Sequence, residues 1–244
     1  MRRAALAAQT RTEVVLTLRR GESVLLSLAI PVGLLVFFSL VDVLPLPAGV
    51  EEPVDFLVPG ILALAVMSAA MVGPAIATGF ERSWGVLKRL GVTPLGRPAL
   101  LAAKVAAILA VEAVQVVVLV GVALALGWRP GGNPLLALAA CLLATVGFAG
   151  IGLAMAGTLP ALTTLAAANG LYLVLLLLGG MVFPLDELPG PLRAVAELLP
   201  AAALSEALGA ALSSPASMPA QPWLVLAAWA VVAPVVAARV FRWE

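Results

Sequence analysis

The sequence predicts an all-α integral membrane protein with six transmembrane helices. Of its 244 residues, 63% are hydrophobic and only 11% are charged, and the apolar residues fall into long runs. A typical soluble domain has about 25% charged residues, whereas about 20 apolar residues in a helix cross a hydrocarbon layer roughly 30 Å thick. Backbone groups cannot stay unpaired in lipid, and the alternation of a membrane barrel is absent from the sequence, so each run is predicted to be a helix.

Six nearly charge-free runs give the order of the spans. The predicted spans are 23–41, 56–80, 101–126, 135–159, 162–183 and 223–240, within one transmembrane domain over residues 23–244. The first run is too long for the core of a cleaved signal peptide. Residues 1–22 interleave arginines with valines and leucines, which predicts a cytoplasmic interfacial helix. A merely positive flank that orients the first span is the alternative.

Basic residues set the predicted orientation, because they concentrate on the cytoplasmic side of short loops. With the N-terminus inside, all of the 14 basic residues except Arg129 and Arg193 lie on the inner face. An even number of spans then places the C-terminus inside as well. We therefore expect a multi-pass protein of the cell membrane, inner or plasma, with both termini in the cytoplasm.

The connection between the fifth and sixth spans, residues 184–222, is long for a loop without a structure of its own. Its stretch LRAVAELLPAAALSEALGAALSS has apolar residues at helical spacing on both sides of Pro200. This pattern predicts two short outer helices that lie at the interface or dip into it.

Small residues recur at every fourth position in two of the predicted spans. The second span has Ala65, Ala69, Gly73 and Ala77, and the fourth has Gly150, Ala154 and Thr158. Such stripes let helix backbones approach closely in lipid. An alanine-rich composition would produce the same pattern without a packing role.

One carboxylate, Glu112, lies inside a predicted span, and Gln115 follows on the same helical face. Charged groups near the bilayer centre cost about 3 kcal/mol and indicate a functional site by default. Three interpretations remain open: a polar group that faces a substrate path with Gln115, a structural hydrogen-bond partner between helices, or a proton-relay carboxylate. A relay usually needs a second titratable group, and no other carboxylate lies in a span.

Composition excludes several classes of function. The chain has one cysteine, Cys141, and no histidine, so it offers neither a disulfide framework nor the commonest metal ligands. The motifs GxxxxGK[ST], GxSxG, HExxH and CxxC do not occur. We therefore predict no catalytic residues and no metal or cofactor site in this chain, and a net charge of +1 gives no indication of nucleic-acid binding.

The segment ERSWGVLKRLGVTPLGRPALLAAK, residues 81–104, is a basic stretch between two apolar ones. Trp84, Leu87 and Leu90 recur at spacing three, which predicts a short amphipathic helix with one apolar face. Pro94 and Pro98 then favour a turn and the start of the third span. A loop that only obeys the positive-inside rule is the alternative.

This segment resembles the pattern E-(x)n-G-T-L-[KE]-x-L-x-x-[ST]-P-[LI]-x-(x)n-G-K of type-2 ATP-binding cassette permeases. The stretch GGMVFPLDELPGPLRAVAELLP is similar to that family's G-x-x-[FY]-P-x-x-x-[LM]-P-x-x-(x)n-P, and the six-span outline covers the whole chain. The chain departs from the first pattern at Val86, where threonine is common, and at Ala103, where glycine is usual.

The resemblance implies the permease subunit of an ATP-driven exporter, which is not an enzyme by itself. Such a permease moves a hydrophobic or amphipathic substrate, such as a drug, an antibiotic or a lipid, outward by alternating access. The implied partners are two copies of an ATPase subunit, which bind ATP and Mg, a second permease that is identical or homologous, and the lipid bilayer. A secondary transporter and a non-transporting membrane scaffold are the alternatives.

In this family the loop after the second span is a cytoplasmic coupling helix that docks on the ATPase. The residues that the resemblance places in coupling are Glu81, Trp84, Gly85, Leu87, Lys88, Arg89, Leu90, Thr93 and Pro94.

Overall fold

The computed structural model describes residues 10–15, 21–41, 52–91, 97–181 and 184–241, without the side chains of residues 21–26, 90, 91 and 97–101. As the sequence predicts, this part of the chain is all-helical and contains no strand. The α-helices are α1 (Gly21–Leu40), α2 (Pro53–Met67), α3 (Gly73–Ser83), α4 (Val86–Gly91), α5 (Arg97–Ala125), α6 (Pro134–Thr158), α7 (Ala161–Leu178), α8 (Gly190–Ala196), α9 (Pro200–Leu212) and α10 (Ala220–Val240). A π-helical turn, Ser68–Val72, joins α2 to α3, and a short 3-10 turn, Leu185–Glu187, precedes α8.

In the described part of the chain, five helical stretches are long and apolar enough to cross a membrane, which confirms a multi-pass membrane protein. They are Pro53–Ser83, Ala102–Ala125, Pro134–Thr158, Ala161–Leu178 and Ala220–Val240, and the count rises to six if the pair α8 and α9, bent by 83°, forms one span. The predicted first span corresponds to α1, whose 20 residues Gly21–Leu40 include the apolar stretch Ser27–Leu40. The number of six spans and the cytoplasmic placement of the termini stay predictions.

The second predicted span forms the centre of the bundle. Leu57, Ile61, Leu64 and Met67 of α2 are fully buried, and α2 packs against α1, α5, α6 and α9. Apolar side chains on all sides of a helix are expected where neighbouring helices surround it. This helix therefore connects the interior of the bundle directly to α3 and α4.

The π turn interrupts this central helix at the residues that precede Pro74. The amide of Gly73 donates to the carbonyl of Ser68, five residues back. Proline lacks an amide proton and its ring clashes with the carbonyl four residues earlier in a regular helix, and a π turn accommodates both effects. The extra residue shifts the helix faces that follow, and Gly73 is exposed with no neighbouring atom within 4 Å of an added Cβ. At Gly73 the predicted packing stripe therefore meets no neighbouring helix in the described part of this chain.

Helix α6 packs closely on two sides through its glycines. A Cβ added to Gly150 would lie 2.6 Å from the Ala233 carbonyl carbon of α10, and one added to Gly152 would lie 2.6 Å from the Met71 carbonyl oxygen of the π turn. The predicted stripe on this helix thus holds at Gly150, whereas Thr158 is exposed. Close approach of backbones at glycine is the usual way to pack helices in lipid.

Two short helices flank Leu199, as the spacing predicts, but they differ in burial. Most side chains of α8 are exposed, whereas α9 is almost entirely buried and packs against α2, α6 and α10. Helix α9 therefore lies inside the bundle, whereas the position of α8 and α9 relative to the membrane stays a prediction.

The two ends of the bundle can be identified from their contacts. Helix α4 follows α3 at one end, here called the α4 end, where Arg82 bonds to the carbonyl of Leu159 and Phe241 packs against Gly157. At the other end, here called the α9 end, Gly132 and Asn133 contact the C-terminal turn of α9.

Candidate coupling site

A turn separates the second span from α4. Helix α3 ends at Ser83, Trp84 and Gly85 form the turn, and α4 begins at Val86. Gly85 has φ 71°, in the left-handed region that glycine adopts without steric cost. The helix axis is therefore broken between Trp84 and Leu87.

This break makes the prediction of one shared apolar face wrong. Trp84 is 66% exposed, whereas Leu87 is fully buried within the chain. A spacing of three places residues on one face only along a continuous helix, and Gly85 interrupts that continuity. Leu87 therefore attaches α4 to the rest of the molecule, and its side chain is not available to a partner in this conformation.

The exposed side of the segment combines one aromatic ring with two cations. Trp84, Lys88 and Arg89 are exposed, and we call these three residues the coupling surface. The indole of Trp84 packs beside Phe80, with ring centroids 5.6 Å apart. The side chain of Leu90 and the whole of Thr93 and Pro94 lie outside the described residues, so their predicted roles stay predictions.

Charged residues hold the end of α3 to its neighbours. Lys104 Nζ lies 2.6 Å from Glu81 Oε2 and 3.6 Å from Glu13 Oε1. Arg82 Nη2 donates to the Leu159 carbonyl at 2.8 Å, which lies just after the end of α6. The pairing of Glu81 with Lys104, and of Lys104 with Glu13, was not predicted, because these residues lie far apart in the sequence.

Glu112 and Gln115 connect α5 to two different helices. Thr145 Oγ1 of α6 lies 2.8 and 2.9 Å from the two carboxyl oxygens of Glu112, and it also lies 2.8 Å from the Cys141 carbonyl oxygen to which it can donate. Gln115 Nε2 donates to the carbonyl and the hydroxyl of Ser27 in α1, at 3.1 and 3.3 Å. Both side chains are buried, so each one bridges helices and neither faces open space in the single chain.

The described residues contain no group of three or more histidine, cysteine, aspartate or glutamate residues that could hold a metal ion. The charges of the α4 end are arranged as a cation between two carboxylates and as an arginine on a helix-terminal carbonyl. This arrangement fixes helices relative to one another.

A family profile described as ABC-2 type transporter matches residues 5–212. The chain belongs to the ABC-2 type transporter family. The match spans the α4 segment, the bridges made by α5, and α9, and it confirms the resemblance seen in the sequence. A comparison with curated proteins found no match. Membership in the ABC-2 family makes the chain the permease component of an ABC transporter and implies an ATPase partner and a membrane.

Proposed function

We propose that this ABC-2 permease belongs to an exporter and that its coupling surface docks on the ATPase subunit. The exposed indole of Trp84, between the membrane-crossing helix and two exposed cations, is the observation that carries the proposal. Tryptophan and arginine are the residues most enriched where binding energy concentrates in interfaces. The buried Leu87 attaches α4 to the rest of the chain beside this exposed surface.

Docking at the coupling surface would connect the ATPase mechanically to the central helix of the bundle. Two ATPase subunits bind ATP and Mg and close on each other, and each closure displaces the α4 segment docked on it. Helix α4 adjoins α3, which continues through the π turn into α2 at the centre of the bundle. Displacement at the coupling surface therefore reaches the buried core through one continuous span, as alternating access requires.

The exported molecule is, on this proposal, hydrophobic or amphipathic. Helices α7 and α10 are mostly uncovered, since only 17% of the residues in the apolar stretch of each are buried inside the chain. Large apolar helix surfaces are therefore exposed. A second permease, identical or homologous, would cover part of these surfaces, and lipid would cover the rest. A path between two such subunits offers few charges, which suits a drug-like, antibiotic-like or lipid-like molecule.

The first experiment measures association with the ATPase. We expect Trp84→Ala to weaken co-purification of the ATPase subunit at least tenfold while the melting temperature stays within about 1 °C, because the indole is exposed. Leu198→Ala, which also removes an exposed apolar side chain but just before α9 and away from α4, is the matched control. Equal ATPase recovery with wild type and Trp84→Ala would contradict docking at this surface, and no recovery with the wild type would favour a secondary transporter or a scaffold.

A second experiment separates the interpretations of Glu112. Glutamine at this position can still accept a hydrogen bond from Thr145, but it cannot carry a proton between solutions. We expect Glu112→Gln to retain stability and ATP-driven transport, which agrees with a bridging role. Loss of transport with stability unchanged would instead favour a relay or a substrate contact.

A further inference from the structure

The first and last residues of segment 81–104, which contains α4, are in contact with each other. Glu81 and Lys104 open and close this stretch of the sequence, and their side chains meet at 2.6 Å although 23 positions separate them. Their side chains are 16% and 7% exposed. The pair therefore joins the last turn of α3 to α5 in a place from which water is largely excluded.

Two further contacts meet at the same place. Glu13, in the helical residues 10–15, lies 3.6 Å from Lys104 and is 13% exposed. Arg82, next to Glu81, donates to the Leu159 carbonyl between α6 and α7. The end of α3 is thus tied to α5 and, through Arg82, to the turn after α6, while Lys104 also ties α5 to the N-terminal segment.

The attachment of α4 itself is slight by comparison. The helix has six residues, its first turn is closed by a hydrogen bond of 3.3 Å from the Arg89 amide to the Gly85 carbonyl, and Leu87 is its buried side chain among those described. A short helix on a flexible base would absorb a push by tilting. Poorly hydrated ion pairs resist such tilting because a displaced charge would lose its partner without regaining water.

We propose that Glu81, Lys104 and Glu13 are positioning residues, which make the base of α4 rigid so that movement of the coupling surface is passed to α3 and α5. We call these three side chains the base cluster. The inference rests on the proposed docking of the ATPase on α4. It adds a role for residues that lie outside the coupling surface and that act through Trp84, Lys88 and Arg89.

The test begins with hydrogen exchange on the full-length permease in detergent or nanodiscs. We expect Glu81→Gln to raise amide exchange in residues 83–91 at least tenfold and to leave exchange in 200–212 unchanged. Glu52→Gln, at an exposed glutamate before α2, is the matched control and should change neither segment. Unchanged exchange in 83–91 in Glu81→Gln would overturn the proposal.

The second part uses the complex of permease and ATPase. We expect Glu81→Gln to bind the ATPase normally and to lose at least 80% of the change in ATP turnover that the wild-type permease causes. Lys104→Arg keeps a cation between the two carboxylates and should retain most of that change, whereas Lys104→Met should not. If Glu81→Gln speeds amide exchange in residues 83–91 but changes ATP turnover as much as the wild-type permease does, the role in coupling is overturned.

These measurements distinguish the two proposals. If the wild-type permease does not bind the ATPase, the proposed function fails while the exchange data still report whether the base cluster holds α4. If the wild type binds and controls the ATPase and Glu81→Gln does the same, only the positioning role fails.

Discussion

The α4 end and the α9 end of the bundle are held together in different ways. At the α4 end, directional contacts between a few charged groups join segments far apart in the sequence, as between Lys104 and Glu81. At the α9 end, a whole helix is inserted among its neighbours, and Leu204 and Leu208 are fully buried. Ser205 Oγ of α9 donates to the Gly180 carbonyl, and the ion pairs of Arg193 with Asp186 and Glu197 lie at the more exposed α8.

This difference determines how each end responds to change. Ion pairs act at defined distances, so one substitution at the α4 end removes a complete attachment. Packing at the α9 end is shared by many side chains. Truncating one of them therefore lowers the free energy of unfolding only by that side chain's own burial and by the cost of the cavity that it leaves. Stability at the α4 end therefore depends on a few side chains, whereas at the α9 end it is distributed over many.

The largest expected effect is at the α4 end. Lys104→Met removes the cation between Glu81 and Glu13 and leaves two poorly hydrated carboxylates near each other, at a cost of about 3–5 kcal/mol in the free energy of unfolding. Reversible denaturation in detergent measures this loss. Lys88→Met, at an exposed lysine of α4, is the control. Similar small losses for both variants would show that the α4 end does not depend on its charges.

A somewhat smaller effect is expected inside the α9 end. Leu204→Ala leaves a cavity beneath α9 and should lower the free energy of unfolding by about 2–5 kcal/mol. Leu198→Ala removes the same atoms from an exposed position just before α9 and should change it by less than about 0.5 kcal/mol. If the two variants have equal stability, α9 is not inserted in the bundle in the way described.

The smallest expected effect lies between the two ends. Thr145→Val removes the hydroxyl that bonds to Glu112 and should destabilise the protein by about 1 kcal/mol, the usual range for hydrogen bonds between membrane helices. Thr163→Val, at an exposed threonine of α7, provides the comparison. A loss at Thr145 as large as that at Lys104 would mean that the middle of the bundle is also held by a few polar contacts.

The sequence predicts the helices well because the runs of apolar residues are long and the bilayer permits little else. It also singles out the basic segment, because charges are rare elsewhere. It does not predict that Leu87 is buried and Trp84 exposed, since that depends on the backbone of Gly85 and not on the spacing of side chains.

Other features escape prediction for a related reason. An alanine-rich stretch such as 200–212 has the same composition whether lipid or protein surrounds it, so the burial of α9 depends on its neighbours. The pairing of Glu81 with Lys104, and of Glu112 with Thr145, joins residues on different helices. Helical periodicity orders residues along one helix and contains no information on the rotation of the next.

The π turn adds a property that none of these contacts provides. It accommodates one residue more than a regular helical turn, so rewinding it to α-helix would shift α3 along its axis by about 1.5 Å and rotate it by about 100°. Such a change exchanges one set of backbone hydrogen bonds for another and leaves the span unbroken. The central helix of the bundle thus has room for a step of one residue between the buried core around α2 and the exposed surface at Trp84.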